Sequence, residues 1–163
     1  MSVAIGTSFL VQRIIETDDV PLDPDGRTDI LDIDWQERGK RALRATTRQG
    51  RLVRILLPAN QFLDHGSVLI SDEVLRIIVN ISPCELLVVA ADSAQRLATL
   101  AYAIGNAHLP AEIRGGKILI PASDATEAGL GQLGIPFQTS VGRVMPECDL
   151  MPRISINLDS GRR

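Results

Sequence analysis

At residue 84 the hydrophobic periodicity of this chain changes, and that change limits the folds open to it more than any other feature. Before it, apolar residues alternate in short runs at residues 9–16, 29–35, 41–47, 51–57, 68–70 and 74–81, the period-2 pattern of half-buried strands. In 29–35, Asp29, Leu31, Ile33 and Trp35 share one face, and Ile30, Asp32 and Asp34 the other. Arg48-Gln49-Gly50 and Ser71-Asp72-Glu73 separate pairs of these runs as turns, and no helical stripe occurs in this half. After it, residues 85–91 (ELLVVAA) form a compact apolar run. Asp92 or Ser93 then offers a helix N-cap, with Leu97, Leu100, Ala101 and Ile104 on one helical face and a stop at Gly105-Asn106. Residues 111–113 and 117–120 bracket Arg114-Gly115-Gly116 as a hairpin. Ser123-Asp124 opens a second helix carrying Ala128, Leu130 and Leu133, which Gly134-Ile135-Pro136 ends before a last strand at 137–141.

The expected fold is therefore α+β. Residues 1–83 form an all-β domain, residues 84–143 a ferredoxin-like domain in the order β-α-β-β-α-β, and residues 144–163 a flexible tail without periodicity.

Scarcity of particular residues narrows the chemistry. Of 163 residues, two are His, two Cys, one Trp, one Tyr and three Phe. Those counts exclude a zinc cage within one chain, a disulfide scaffold and an aromatic platform for nucleic acid. No phosphate-binding loop, nucleophile elbow, dinucleotide fingerprint or H-E-x-x-H motif occurs, so no enzyme activity is expected. Residues 1–15 lack a basic region ahead of their apolar stretch, and no window approaches the roughly 20 apolar residues of a membrane span. With Cys84 and Cys148 distant in sequence and read as reduced thiols, a cytoplasmic location without membrane contact is the expectation.

Charge is sharply segregated. Residues 1–37 carry nine acids against Arg13 and Arg27, whereas residues 38–54 carry Arg38, Lys40, Arg41, Arg44, Arg48, Arg51 and Arg54 with no acid. The two blocks either face each other across neighbouring strands or face water. A phosphate footprint on nucleic acid is disfavoured by the net charge of -3 and the lack of interleaved aromatics.

His108 is the most informative single residue. Four positions after Ile104, it either continues the apolar stripe of the first helix or sits just past its end. It fits a semi-buried histidine bonded to a carbonyl, and it fits a ligand for Ni(II), Cu(II) or Zn(II). Spacing alone does not decide. Among other candidates, Asp23-Pro24-Asp25-Gly26 lacks the first and last ligands of a calcium loop and reads as a turn. His65 in Asp64-His65-Gly66 reads as a solvated loop residue, and Cys84 as a small buried residue at the domain junction.

The residues from Tyr102 to Pro110 (YAIGNAHLP) resemble the Y-x-(I/L)-G-N-x-H-x-P segment of the UreE urease accessory proteins, a family of nickel metallochaperones. Asp34-Trp35-Gln36-Glu37, Lys40-Arg41, Arg44, Thr46-Thr47 and Gly50 are similar to that family's W-x-E…K-R-x-x-R-x-T-T…G stretch. Ile55-Leu56-Leu57, Leu63 and Gly66-Ser67-Val68-Leu69 match its I-x-L…L-x-x-G-D-V-L pattern, with Ser67 in place of Asp; Pro83-Cys84-Glu85 and Met145-Pro146-Glu147 also fit.

The resemblance implies a peptide-binding-like β domain, a ferredoxin-like domain and a homodimer in which His108 of both subunits binds Ni(II), with Zn(II) or Cu(II) as other occupants. Its implied partners are the urease apoprotein and other urease accessory proteins. Many relatives add nickel ligands in a histidine-rich tail, but here no histidine follows His108, and Ala107 stands where Arg is frequent. Glu147, Cys148 and Asp149 are the ligand-capable group nearest the end of the chain. Arg41, Arg44, Arg48 and Arg51 are the candidate partner-binding residues. The expected function is Ni(II) delivery during urease maturation. The alternative is a metal-independent protein-interaction module, serving urease-complex assembly or chaperone-like peptide binding.

Overall fold

The structure, a computed structural model, describes residues 8–15, 26–59 and 61–146. Two compact units emerge, one reaching from the N-terminal strands to Cys84 and including Val141–Met145, the other comprising Glu85–Ser140.

Six strands build the first unit: β1 (Ser8–Val11), β2 (Thr28–Ile33), β3 (Ala42–Thr46), β4 (Leu52–Leu56), β5 (Val68–Ser71) and β6 (Arg76–Ile81). They form two three-stranded sheets, in the orders β1-β4-β3 and β2-β6-β5. Each sheet is an antiparallel pair with a third strand added in parallel: β1 lies parallel to β4, and β2 parallel to β6. The β3–β4 hairpin closes through Gly50 at φ 80°, a left-handed conformation that glycine adopts without steric cost. Each expected run holds a strand, but β1 stops at Val11 although the pattern extends over residues 9–16. The one helical element is a single 3₁₀ turn at Trp35–Glu37, where Glu37 bonds back to the Asp34 amide in a capping box.

Alternation puts Val11, Val53 and Ile55 on the inner face of one sheet and Leu31, Ile33, Ile77, Val79 and Ile81 on that of the other, in one cluster of buried side chains. Burying each such side chain contributes about 1.5–3 kcal/mol. Segregated charge is resolved at the same place. Arg51 Nη1 meets the buried Asp29 at 2.8 Å, and Arg48 grips Asp32 through Nε and Nη2 at 2.7 and 2.8 Å. The basic hairpin therefore neutralises the acidic strand β2, which belongs to the other sheet.

The second unit is built from β7 (Cys84–Ala90), α1 (Ala94–Asn106), β8 (Glu112–Arg114), β9 (Lys117–Pro121), α2 (Asp124–Gln132) and β10 (Gln138–Gly142). Its sheet order is β10-β7-β9-β8, with β9 antiparallel to both β7 and β8. Numbered within the unit, that is 4-1-3-2, the ferredoxin-like split arrangement. Gly115 and Gly116, at φ 58° and 73°, make the β8–β9 turn. Leu97, Leu100, Ala101 and Ile104 all pack into the core cluster, as the helical spacing requires.

The second helix differs from expectation. Ala128 and Leu133 are exposed, and the buried residues are Thr126 and Leu130. A threonine is tolerated there because its hydroxyl is satisfied, donating to the Pro121 carbonyl at 2.8 Å. Ser123 caps this helix by accepting from the Thr126 amide, while Thr126 Oγ1 accepts from the Ser123 amide at 2.9 Å. Ser123→Ala should therefore lower stability by about 1 kcal/mol, read as a reduced urea midpoint with an unchanged slope.

Candidate functional site

The first helix ends in a way that sets His108 apart. After the cap residue Ala107, the His108 amide donates to Gly105 O at 3.0 Å and the Leu109 amide to Ile104 O at 3.2 Å. That bond pair is a Schellman motif, whose turning residue must be left-handed. His108 occupies that position at φ 57°, the one non-glycine with positive φ among the described residues. Leu109 turns back into the core, where its side chain approaches the backbone of Gly129 on α2.

The second helix ends in the same bond pattern, with Gly134 N to Gly131 O at 3.1 Å and Ile135 N to Leu130 O at 3.0 Å, and there the left-handed residue is glycine at φ 64°. Thus the unit uses glycine once for this turn and histidine once. A left-handed β-carbon costs roughly 1–2 kcal/mol, so the imidazole is held at that price in strain.

Of the two readings open to His108, the structure favours the position past the helix end. Its side chain is exposed and makes no hydrogen bond among the described residues, so it is not a carbonyl-bonded core histidine. It projects at the C-terminus of a 13-residue helix, where the backbone dipole favours a cation. No three His, Cys, Asp or Glu side chains converge as a metal cage among the described residues. A metal at His108 therefore needs ligands from outside this set. Glu147, Cys148 and Asp149 lie outside the described residues.

The other candidates resolve differently. His65 sits in an exposed turn where its Nδ1 accepts from the Ile81 amide at 3.4 Å; partial burial, then the Arg143 charge, lower its pKa. Cys84 begins β7 half-buried, and burial, then the Asp34 carboxylate, push its thiol up, opposite to what a nucleophile or thiolate ligand requires.

Among the four candidate partner-binding arginines, Arg48 and Arg51 are engaged with Asp32 and Asp29. Arg41 donates weakly to Leu57 O at 3.5 Å, and Arg44 lies exposed on β3 directly opposite Arg54 on β4. Grouping the arginines by nearness in sequence missed Arg54. The alternation of 42, 44, 46 with 52, 54, 56 was the signal that could have found it. No helix among the described residues is long and apolar enough to cross a membrane.

An all-β unit followed by a ferredoxin-like unit that presents one exposed imidazole at a helix end defines a two-domain protein without a self-contained metal cage among its described residues. The model of the UreE urease accessory protein N-terminal domain matches residues 11–82, and that of its C-terminal domain residues 84–149. A urease accessory protein UreE of Flavobacterium johnsoniae is 37% identical over 94 residues, which cover 57% of each chain. That of Geobacillus kaustophilus is 35% identical over 105 residues, covering 64% of this chain and 71% of its own. A third, from Lysinibacillus sphaericus, is 26% identical over 117 residues, or 72% and 79% of the two chains. The chain belongs to the UreE urease accessory protein family.

Proposed function

We propose that this protein is a cytoplasmic homodimeric nickel metallochaperone of urease maturation, carrying Ni(II) as cargo between the His108 imidazoles of two subunits. The left-handed, exposed His108 is the observation that carries this reading. A strained position is occupied by a side chain with no partner among the described residues, where glycine would serve the fold better. Tyr102, 78% exposed on the same helix, is the kind of aromatic surface that a second subunit would cover.

Two imidazoles leave a metal coordinatively incomplete, to be filled by water, carboxylate or the Glu147-Cys148-Asp149 group. Such a site suits transfer, because a receiving protein can add ligands stepwise before the donor lets go. Zn(II) and Cu(II) fit the same imidazole pair. The receiving partners on this reading are the urease apoprotein and other urease accessory proteins, and no catalysis is required of the chain itself.

Titrating the full chain with Ni(II) by calorimetry, beside sedimentation equilibrium, tests this. The expected result is a dimer taking up one ion per two chains. A monomer, or an absence of specific uptake, would sink the proposal. The second reading, a metal-independent interaction module, draws on the unneutralised arginines of the β domain and predicts no such uptake.

A further inference from the structure

The outer face of the sheet β1-β4-β3 has a composition that the fold alone does not explain. Strand register aligns Leu10, Arg54 and Arg44 in one row across the three strands, and Leu56 with Ala42 in the next row. Arg44 and Arg54 are thus directly opposed, both exposed, and neither has an ion pair or hydrogen bond among the described residues. Like charges directly opposite on neighbouring strands destabilise a sheet. Elsewhere in the same unit three arginines are neutralised: Arg48 by Asp32, Arg51 by Asp29 and Arg38 by Asp64. The outward positions of β1, β3 and β4 include no acid, and beside the two arginines stand Leu10 and Leu56, 57% and 47% exposed. An open concavity continues the face past Leu56, lined by Arg41, Ala42, Pro58 and Gln12.

We propose that this face docks an extended acidic segment of a partner protein, in which carboxylates alternate with apolar side chains. A carboxylate between Arg44 and Arg54 accepts from two guanidinium forks and removes their mutual repulsion, so binding gains twice from one charge. Apolar side chains on the same segment cover Leu10 and Leu56. Successive rows on a strand face are about 6.6–6.8 Å apart, the same repeat that an extended peptide presents on one side, so charges and apolar groups fall into step. Nucleic acid and anionic membrane fit less well, because neither supplies apolar groups in register with the arginines. This surface stands independently of the metal reading, since none of its residues lies in the ferredoxin-like unit.

The test uses the full chain and a fluorescent peptide of about ten residues repeating Glu-Ser-Leu-Ser, so that Glu and Leu alternate along one side of the extended peptide, long enough to span a strand with overhang. Anisotropy should show saturable binding that weakens at about 0.5 M salt, with no binding of the matched Lys/Leu peptide. Arg44→Glu with Arg54→Glu should weaken it at least about tenfold. Arg44→Gln with Arg54→Gln guards against misfolding. This pair should keep or raise the melting temperature, because a repulsion is lost, yet bind the peptide several-fold more weakly. Equal binding of the Lys/Leu peptide, undiminished binding by both double variants, or capture of anionic vesicles or duplex DNA in place of the acidic peptide would each overturn the proposal.

Discussion

Replacing His108 by glycine will abolish specific nickel uptake and, in the same protein, raise its thermal stability. The two effects have one origin. His108 is the left-handed residue of a Schellman turn, at φ 57°. Glycine removes the roughly 1–2 kcal/mol of strain carried by a β-carbon there, less about 0.5–1 kcal/mol for the extra freedom of the unfolded chain. The net expectation is a gain of up to about 1.5 kcal/mol, each kcal/mol being worth roughly 4–8 °C in Tm for a unit of this size. His108→Ala provides the contrast, because it deletes the imidazole and keeps the strain, so its Tm stays near that of the wild type. Both variants should bind nickel at least about a hundredfold more weakly, since outer-shell partners alone are worth 10–100-fold and the proposed site would lose a ligand from each subunit. Nickel calorimetry with differential scanning calorimetry on the three proteins decides it. Wild-type uptake by either variant would refute the site. A glycine variant no more stable than the alanine one would refute the strain.

That dissociation bears on why a histidine stands there. At the matching end of α2 the same bonds are made with Gly134, so the turn itself does not require a side chain. If stability were the only demand, the position after Ala107 would also be glycine. The backbone bonds of His108, with Leu109 anchored in the core behind it, set the direction in which its side chain leaves the main chain. Preorganisation of that kind lowers the cost of assembling a site from two chains.

Much of this architecture could be read from local pattern. The switch from period 2 to mixed periods at residue 84 falls where the two compact units divide, between Cys84 and Glu85. Caps at Ser93 and Ser123 were equally visible, since the hydroxyl oxygen of each accepts from a backbone amide of the first turn. Long-range pairing was not visible. Nothing in 9–16 or 51–57 reveals that β1 lies parallel to β4, because register comes from the core that both strands share. Thr126 was passed over for Ala128 because a hydroxyl reads as polar until its acceptor, the Pro121 carbonyl, is known. At the candidate site, sequence singled out His108 but not its left-handed backbone, which goes with the turn of Leu109 into the core. The arginines divided along lines that sequence order hides. Arg48 and Arg51 belong to the fold, while Arg44 and Arg54 face outward together.

Asp29→Ala should cost the β domain about 2–3 kcal/mol and remove part of its sensitivity to acid. Asp29 is a carboxylate only 1% exposed, and it accepts from the Ile30 amide at 2.8 Å, the Gln49 amide at 3.2 Å and Arg51 Nη1 at 2.8 Å. Burial by itself would raise its pKa, but bonds from Thr47, Arg51 and the backbone of Gln49 and Ile30 outweigh that and hold it below the ordinary carboxylate value. A folded carboxyl that gives up its proton more readily than the unfolded one adds stability in full above the unfolded pKa of about 4. This contribution drains away as pH falls below that value toward the folded pKa. Deleting the side chain strands the Ile30 and Gln49 amides and the Thr47 hydroxyl and takes the carboxylate from Arg51, which is the source of the cost. Asp29→Asn keeps the volume and loses the charge, so it should be destabilised at pH 7 and show a shallower loss of stability between about pH 4 and pH 2 than the wild type. Urea denaturation across that range measures both quantities. Parallel pH profiles for wild type and Asp29→Asn would show that Asp29 does not drive acid unfolding. An alanine variant within about 0.5 kcal/mol of the wild type would show that the bridge between the sheets is held by their apolar faces alone.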